Sequence, residues 1–131
     1  MSDSRRAVHA DGAPAAVGAY SHAVAVSGTL LFCSGQIPLD PATGELVEGG
    51  VGEQATRCLE NLEAVCQAGG TTLANAVRVG VFLVDLPGDW AEVNAAYERF
   101  FDADPPARAA VGVAALPKGA RVEIDAIVAV P

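Results

Sequence analysis

Basic residues are scarce in this chain. Eight Lys and Arg stand against sixteen Asp and Glu in 131 residues, giving a formal net charge of −8 and a pI near 4.5. Such a surface repels phosphate backbones and anionic lipid, so sequence-independent nucleic-acid binding has no electrostatic support. Long apolar runs are missing too. None approaches the roughly 20 residues of a membrane span, and the opening MSDSRRAVHADG lacks the apolar middle of a signal peptide. These absences predict a cytoplasmic protein with neither membrane nor nucleic acid as a partner. Cysteines number only three, Cys33, Cys58 and Cys66, with no CxxC and an odd count. On one helix Cys58 and Cys66 would stand about 12 Å apart along the axis, too far for a disulfide, and all three are expected as small core residues. His9 and His22 beside scattered thiols provide no metal-ligand spacing.

What is abundant points to a compact, turn-rich globule. Hydrophobic residues make up 51% and charged ones 18%, with 14 Gly and 8 Pro, which excludes a disordered chain. The length suits a single domain over 1–131 with one real core, its first 13 or so residues a partly ordered lead-in. Strands are predicted over His22–Val26 and Thr29–Gln36, joined as a hairpin by a two-residue turn at Gly28. The stretch IPLDPATGELVEGG reads as a loop or short ribbon. From Val51 to Ala68 the apolar period becomes helical, with Gly69-Gly70 as the stop. NAVRVGVFLVDL reads as a central strand, apolar on both faces. A second helix is predicted from Asp89 as cap, with Glu92 three residues on and Trp90, Val93, Tyr97, Phe100 and Phe101 as its core stripe. Strands over Ala109–Leu116 and Arg121–Val130 follow, joined by a turn with Pro117 and Gly119.

This is an α+β order, and two helices cover only one face of a sheet. The last strand buries Val122, Ile124, Val128 and Val130 against them. Its other face carries Arg121, Glu123, Asp125 and Ile127, beside Phe82 and Val84 of the central strand. Apolar residues on a face that the chain cannot cover predict a partner subunit. A carboxylate at such an interface is expensive unless it has a partner or a task.

Arg108 follows Pro105 and Pro106, which restrict the approaching backbone and fix its direction. A held guanidinium donates two parallel hydrogen bonds to a small carboxylate. The competing structural reading pairs it with Glu123 or Asp125. Glu123 leaves the helix-packed face, where it either relays protons to a water or an amine leaving group or is a solvated strand acid. Ser34 and Gly35 in CSGQ either present a hydroxyl and amides to an anion or end a strand.

In combination, APAAVGAYSHAV, FCSGQIPLDPATGEL, QATRCLENLEAV, VFLVDLPGDWAEVNAAYERFF and PPARAAVGVAALPKGARVEIDAI resemble the RidA family, also called YjgF or endoribonuclease L-PSP, across nearly the whole chain. The resemblance implies a chorismate-mutase-like α+β fold, with two helices on one face of a mixed sheet. It also implies a homotrimer with clefts between subunits and a deaminase acting on reactive enamines and imines. By motif position, Arg108 matches the family's carboxylate-binding arginine and Glu123 its acid near the hydrolytic water. Ser34 and Gly35 match the pair lining the cleft, Tyr20 the tyrosine closing it, and Asn94 a supporting helix asparagine. Ala19 stands where relatives often carry Pro, and Ala109 and Ala110 where they often carry Ser, Cys or Thr, which bears on substrate preference. The implied substrate is a small carboxylate-bearing imine, hydrolysed without a cofactor or metal. Two other classes stand beside this one: a non-catalytic module binding carboxylate metabolites, and a ribonuclease or translation inhibitor, which the acidic composition opposes.

Overall fold

The computed structural model describes residues 5–131. Strands β1 (Arg5–Val8), β2 (Ala23–Val26) and β3 (Thr29–Gln36) come first. Helix α1 (Val51–Ala68), strand β4 (Ala76–Leu83), helix α2 (Leu86–Glu98), strand β5 (Ala107–Gly112) and strand β6 (Val122–Val130) complete the order. Four strands form the main sheet in the order β3-β6-β4-β5, antiparallel except for the parallel β4–β5 pair. That parallel pair is joined through α2, as parallel neighbours require.

Both helices lie on one face. From α1, Ala55, Cys58, Leu59, Leu62 and Cys66 point inward, and they meet Val79, Val81, Val122, Ile124 and Val128 of the sheet, all at most 1% exposed. The three cysteines are free and buried in this core, as expected of small apolar residues. Helix α1 opens where Glu53 Oε1 accepts from the Gly50 amide at 2.9 Å. It stops at Gly70, whose φ of +86° suits glycine, and the Thr71 amide there closes back on the Cys66 carbonyl.

Four expectations are corrected. The predicted hairpin does not form: β2 pairs with β1, and β3 crosses to pair with β6. Gly28, with φ +99°, is a corner between two sheets. Consequently Arg5–Val8, inside the stretch expected as a partly ordered lead-in, are a paired strand; residues 1–4 lie outside the described ones. Helix α2 starts earlier than predicted, capped by Asp85, which accepts from the Gly88 amide at 3.2 Å. Pro87 fits a first helical turn that needs no amide hydrogen, and Asp89 is left to pair with Arg121 at 2.9 Å. Finally, β5 runs over Ala107–Gly112 instead of Ala109–Leu116, which brings Arg108 into the sheet. The ribbon over IPLDPATGELVEGG exists as a single bridge, Leu39 to Leu46.

The second face of the sheet has no helix. Phe32, 71% exposed, stands there with Phe82, Ile127 and Val111, beside Arg78, Glu123 and Asp125. Asp125 accepts from the Gly80 amide directly across the ladder at 3.0 Å. None of the described helices is long and apolar enough to cross a membrane.

Candidate functional site

Arg108 enters through the register of β5. It stands beside Val79, a core residue on the helix-covered face, so its side chain turns toward α2. There its Nη1 donates to Asn94 Oδ1 at 2.8 Å. Three rings surround the guanidinium carbon: Trp90 and Tyr97 at 4.8 Å each, and Tyr20 at 5.4 Å. Trp90, Asn94 and Tyr97 recur at helical spacing along one side of α2. Arg108 takes no part in the ion pairs of the described residues, so the structural reading that tied it to Glu123 or Asp125 fails. Burial pulls its pKa below the ordinary value, with Tyr97, Tyr20 and Glu98 acting in the opposite sense. Guanidinium remains charged under such conditions. The result is a half-buried cation with aromatic neighbours, an amide partner and spare N–H donors.

The segment before β2 forms the facing wall. Ser21 is buried and pins it, donating from Oγ to the Pro105 carbonyl at 2.6 Å and from its amide to the Pro106 carbonyl at 3.2 Å. The two prolines thus restrict the backbone before Arg108 and also supply the anchor for the segment that covers it. Gly18 passes so close that a Cβ there would lie 3.1 Å from Arg108 Nη2. An open cleft of about 530 Å³ remains, lined by Arg108, Asn94, Tyr20 and Gly18 at its polar end and by Leu86, Trp90 and other apolar residues elsewhere. A carboxylate fits the polar end, and an apolar substituent fits the rest.

Glu123 is elsewhere. It stands beside Phe82 on the uncovered face, while Arg108 aligns through Val79 with Ala126. Two strand spacings across and three residues along separate their Cα atoms by about 14 Å, and the side chains leave opposite faces. Glu123 instead packs over Gly35: a Cβ on that glycine would sit 2.9 Å from Glu123 Cδ and closer still to Oε2. The ladder between β3 and β6 is irregular from Cys33 to Gln36, so Ser34 and Gly35 bulge out, exposed, beside the carboxylate. The expected site residues therefore fall into two separate clusters on one chain, Tyr20/Asn94/Arg108 and Ser34/Gly35/Glu123. Sequence reasoning named all six residues without separating them. It took Trp90 and Tyr97 only as core stripe and passed over Ser21; the spacing of Trp90 and Tyr97 from Asn94 was the available signal.

Residues 10–130 match the family described as Endoribonuclease L-PSP. The chain is 56% identical over 125 residues to Protein DfrA of Myxococcus xanthus, covering 95% of each. It is 48% identical over 123 residues to the 2-iminobutanoate/2-iminopropanoate deaminase of Rattus norvegicus, covering 94% of this chain and 88% of the relative. Among solved structures, YyfB of Yersinia pestis, a protein of the conserved Rid family, superposes with a TM-score of 0.87 at 33% identity, covering 95% of this chain and 98% of that one. Sequence match and superposition both run nearly end to end, and the chain belongs to the RidA family.

Proposed function

We propose that this protein hydrolyses reactive imines and enamines of the 2-aminoacrylate type to 2-oxo acids and ammonia. The observation that carries the reading is Arg108, a half-buried guanidinium that takes no part in the ion pairs of the described residues and lines an open cleft. A relative nearly half identical is named for deamination of 2-iminobutanoate and 2-iminopropanoate, which supports the same chemistry here. Arg108 holds the substrate carboxylate by its fork, oriented by Asn94 and the flanking rings. Water adds to the C=N carbon as Glu123 passes its proton to nitrogen, giving a carbinolamine; Glu123 then passes the hydroxyl proton to nitrogen as the C=O forms, the C–N bond breaks and ammonia leaves. A positioned acid-base group supplies about 10² to 10⁴ in rate, and no cofactor is required.

Because Arg108 and Glu123 leave opposite faces of one sheet, the working site combines the Arg108 half of one copy with the Ser34/Gly35/Glu123 half of a neighbour. The uncovered face, with Phe32 71% exposed, supports such packing, and we take the assembly to be a homotrimer. The test is ammonia release from imines generated in situ by an amino-acid oxidase, in competition with a semicarbazide trap. Wild type outruns the trap and Arg108→Ala does not. Equal trapping with both proteins, across several amino acids, would reduce the cleft to a carboxylate-binding module.

A further inference from the structure

The loop that walls the cleft is closed by a histidine. His22, just before β2, accepts from the Ala10 amide through Nδ1 at 2.9 Å, and its Nε2 lies 2.7 Å from the Pro14 carbonyl. A carbonyl only accepts, so Nε2 carries the proton and Nδ1 is a bare lone pair. The ring is therefore held in one neutral tautomer by both of its nitrogens. Between the two clamped points and the Ser21 anchor run Val17, Gly18 and Tyr20, the residues that face Arg108. Tyr20 Oη in turn accepts from the Val17 amide at 3.4 Å, tying the covering turn together.

We propose that His22 is a positioning residue for the Arg108 cleft: its neutral imidazole latches the segment from Ala10 to Tyr20 over the guanidinium, and protonation at Nδ1 releases the Ala10 end. A protonated ring presents N–H to N–H at that contact and cannot accept. Imidazole suits such a latch because one added proton turns its accepting nitrogen into a donor while the rest of the ring stays in place. Two other titratable groups border the same hollow. His9 lies with its ring centroid 5.8 Å from that of His22, and Asp11 lines the surface pocket that both histidines share. Glutamine replaces the latch without titrating, since its amide oxygen accepts and its NH₂ donates.

The consequence for ligand binding rests on the carboxylate reading of Arg108; the latch itself does not. Two readouts on the intact protein separate them. The first is hydrogen exchange over residues 9–20 at pH 7.5 and 5.5, expressed as protection relative to intrinsic rates. Wild type loses protection roughly fivefold on acidification, the scale of one exposed hydrogen bond. His22→Gln stays protected at both values, His22→Ala is unprotected at both, and His9→Gln follows wild type. Protection of His22→Ala equal to wild type, or a His22→Gln profile that tracks wild type, overturns the latch. The second readout is fluorescence of Trp90, the one tryptophan in the chain, titrated with 2-oxobutanoate. Affinity falls several-fold at pH 5.5 in wild type and stays level in His22→Gln. If exchange responds while affinity does not, the coupling of latch to cleft is overturned. Arg108→Ala binding as tightly as wild type would sink the carboxylate reading and leave the exchange result standing.

Discussion

A single methyl group at residue 35 should separate substrate binding from chemistry. Gly35 has no side chain because Glu123 occupies that space: a Cβ would stand 2.9 Å from Cδ and 3.2 Å from Cγ of the glutamate, with Oε2 nearer still. Its backbone is not in the left-handed region, so alanine is tolerated conformationally and the clash alone acts. Glu123 yields because its carboxylate is the far end of a flexible chain, and the shift needed is about 1 Å. Misplacement of a reacting group by that distance costs on the order of 10²-fold. Gly35→Ala is therefore expected to lower kcat about a hundredfold, with KM nearly unchanged because the substrate carboxylate is held by Arg108 and its rings, which the neighbouring copy supplies. Glu123→Gln should cost at least as much, and the double variant little more than Glu123→Gln alone, since both act on one group. Steady-state deamination of 2-iminobutanoate formed in situ gives the constants, and circular dichroism verifies the fold. Unchanged kcat in a folded Gly35→Ala protein would refute the placement of Glu123 in the chemistry.

Two further outcomes concern stability. The Tyr97 phenol is buried with no hydrogen-bond partner among the described residues, and burial pushes its pKa upward although the Arg108 charge works the other way. Tyr97→Phe keeps the ring against Arg108 and is expected to raise stability by about 1 kcal/mol, or roughly 3 to 5 °C in Tm; a clear fall in Tm would reveal that the hydroxyl is satisfied. Cys58 is the second case, its thiol pushed up to about 12, chiefly by burial and further by the Glu123 charge. A native pKa above the unfolded one means that the native state holds its proton longer. Stability is fully present below about pH 9 and declines as pH rises toward 12, by roughly 1 kcal/mol per pH unit for this group. Urea titrations at pH 8.5, 9.5 and 10.5 should show a shallower decline for Cys58→Val than for wild type, and parallel declines would contradict the assignment.

The two helices, the central strand and the buried cysteines were legible because their apolar periods are long and uninterrupted. Gly69-Gly70 marks the end of α1 as firmly in the sequence as in the fold. Strand pairing was less legible. The chain at Gly28 reads as a hairpin, and only the register of β3 on β6 reveals that the two strands part company there. Similarly, Arg5–Val8 carry two arginines and look like lead-in, yet edge strands hold charges at little cost, and Arg5 Nε donates to the Ala76 carbonyl at 2.9 Å. Asp89 reads as the cap of α2 in the sequence, whereas Asp85 fills that role, and the overlooked signal is Pro87, which suits a first helical turn. For the candidate site, residue types proposed Arg108, Glu123, Ser34 and Gly35, and the family resemblance added Tyr20 and Asn94. Their division between two sheet faces follows from which residue stands beside Val79 and which beside Phe82, and a sequence does not display that until strand register is known.

Subunit complementation tests the central claim most directly. Arg108→Ala and Glu123→Ala proteins, each inactive alone, are mixed in equal amounts, unfolded and refolded together, and assayed for imine hydrolysis. If each site draws its arginine from one copy and its glutamate from another, random assembly leaves about a quarter of the sites intact, and activity should return to about a quarter of wild type. Mixtures as inactive as the separate variants, with assembly verified by size, would contradict a site built from two copies.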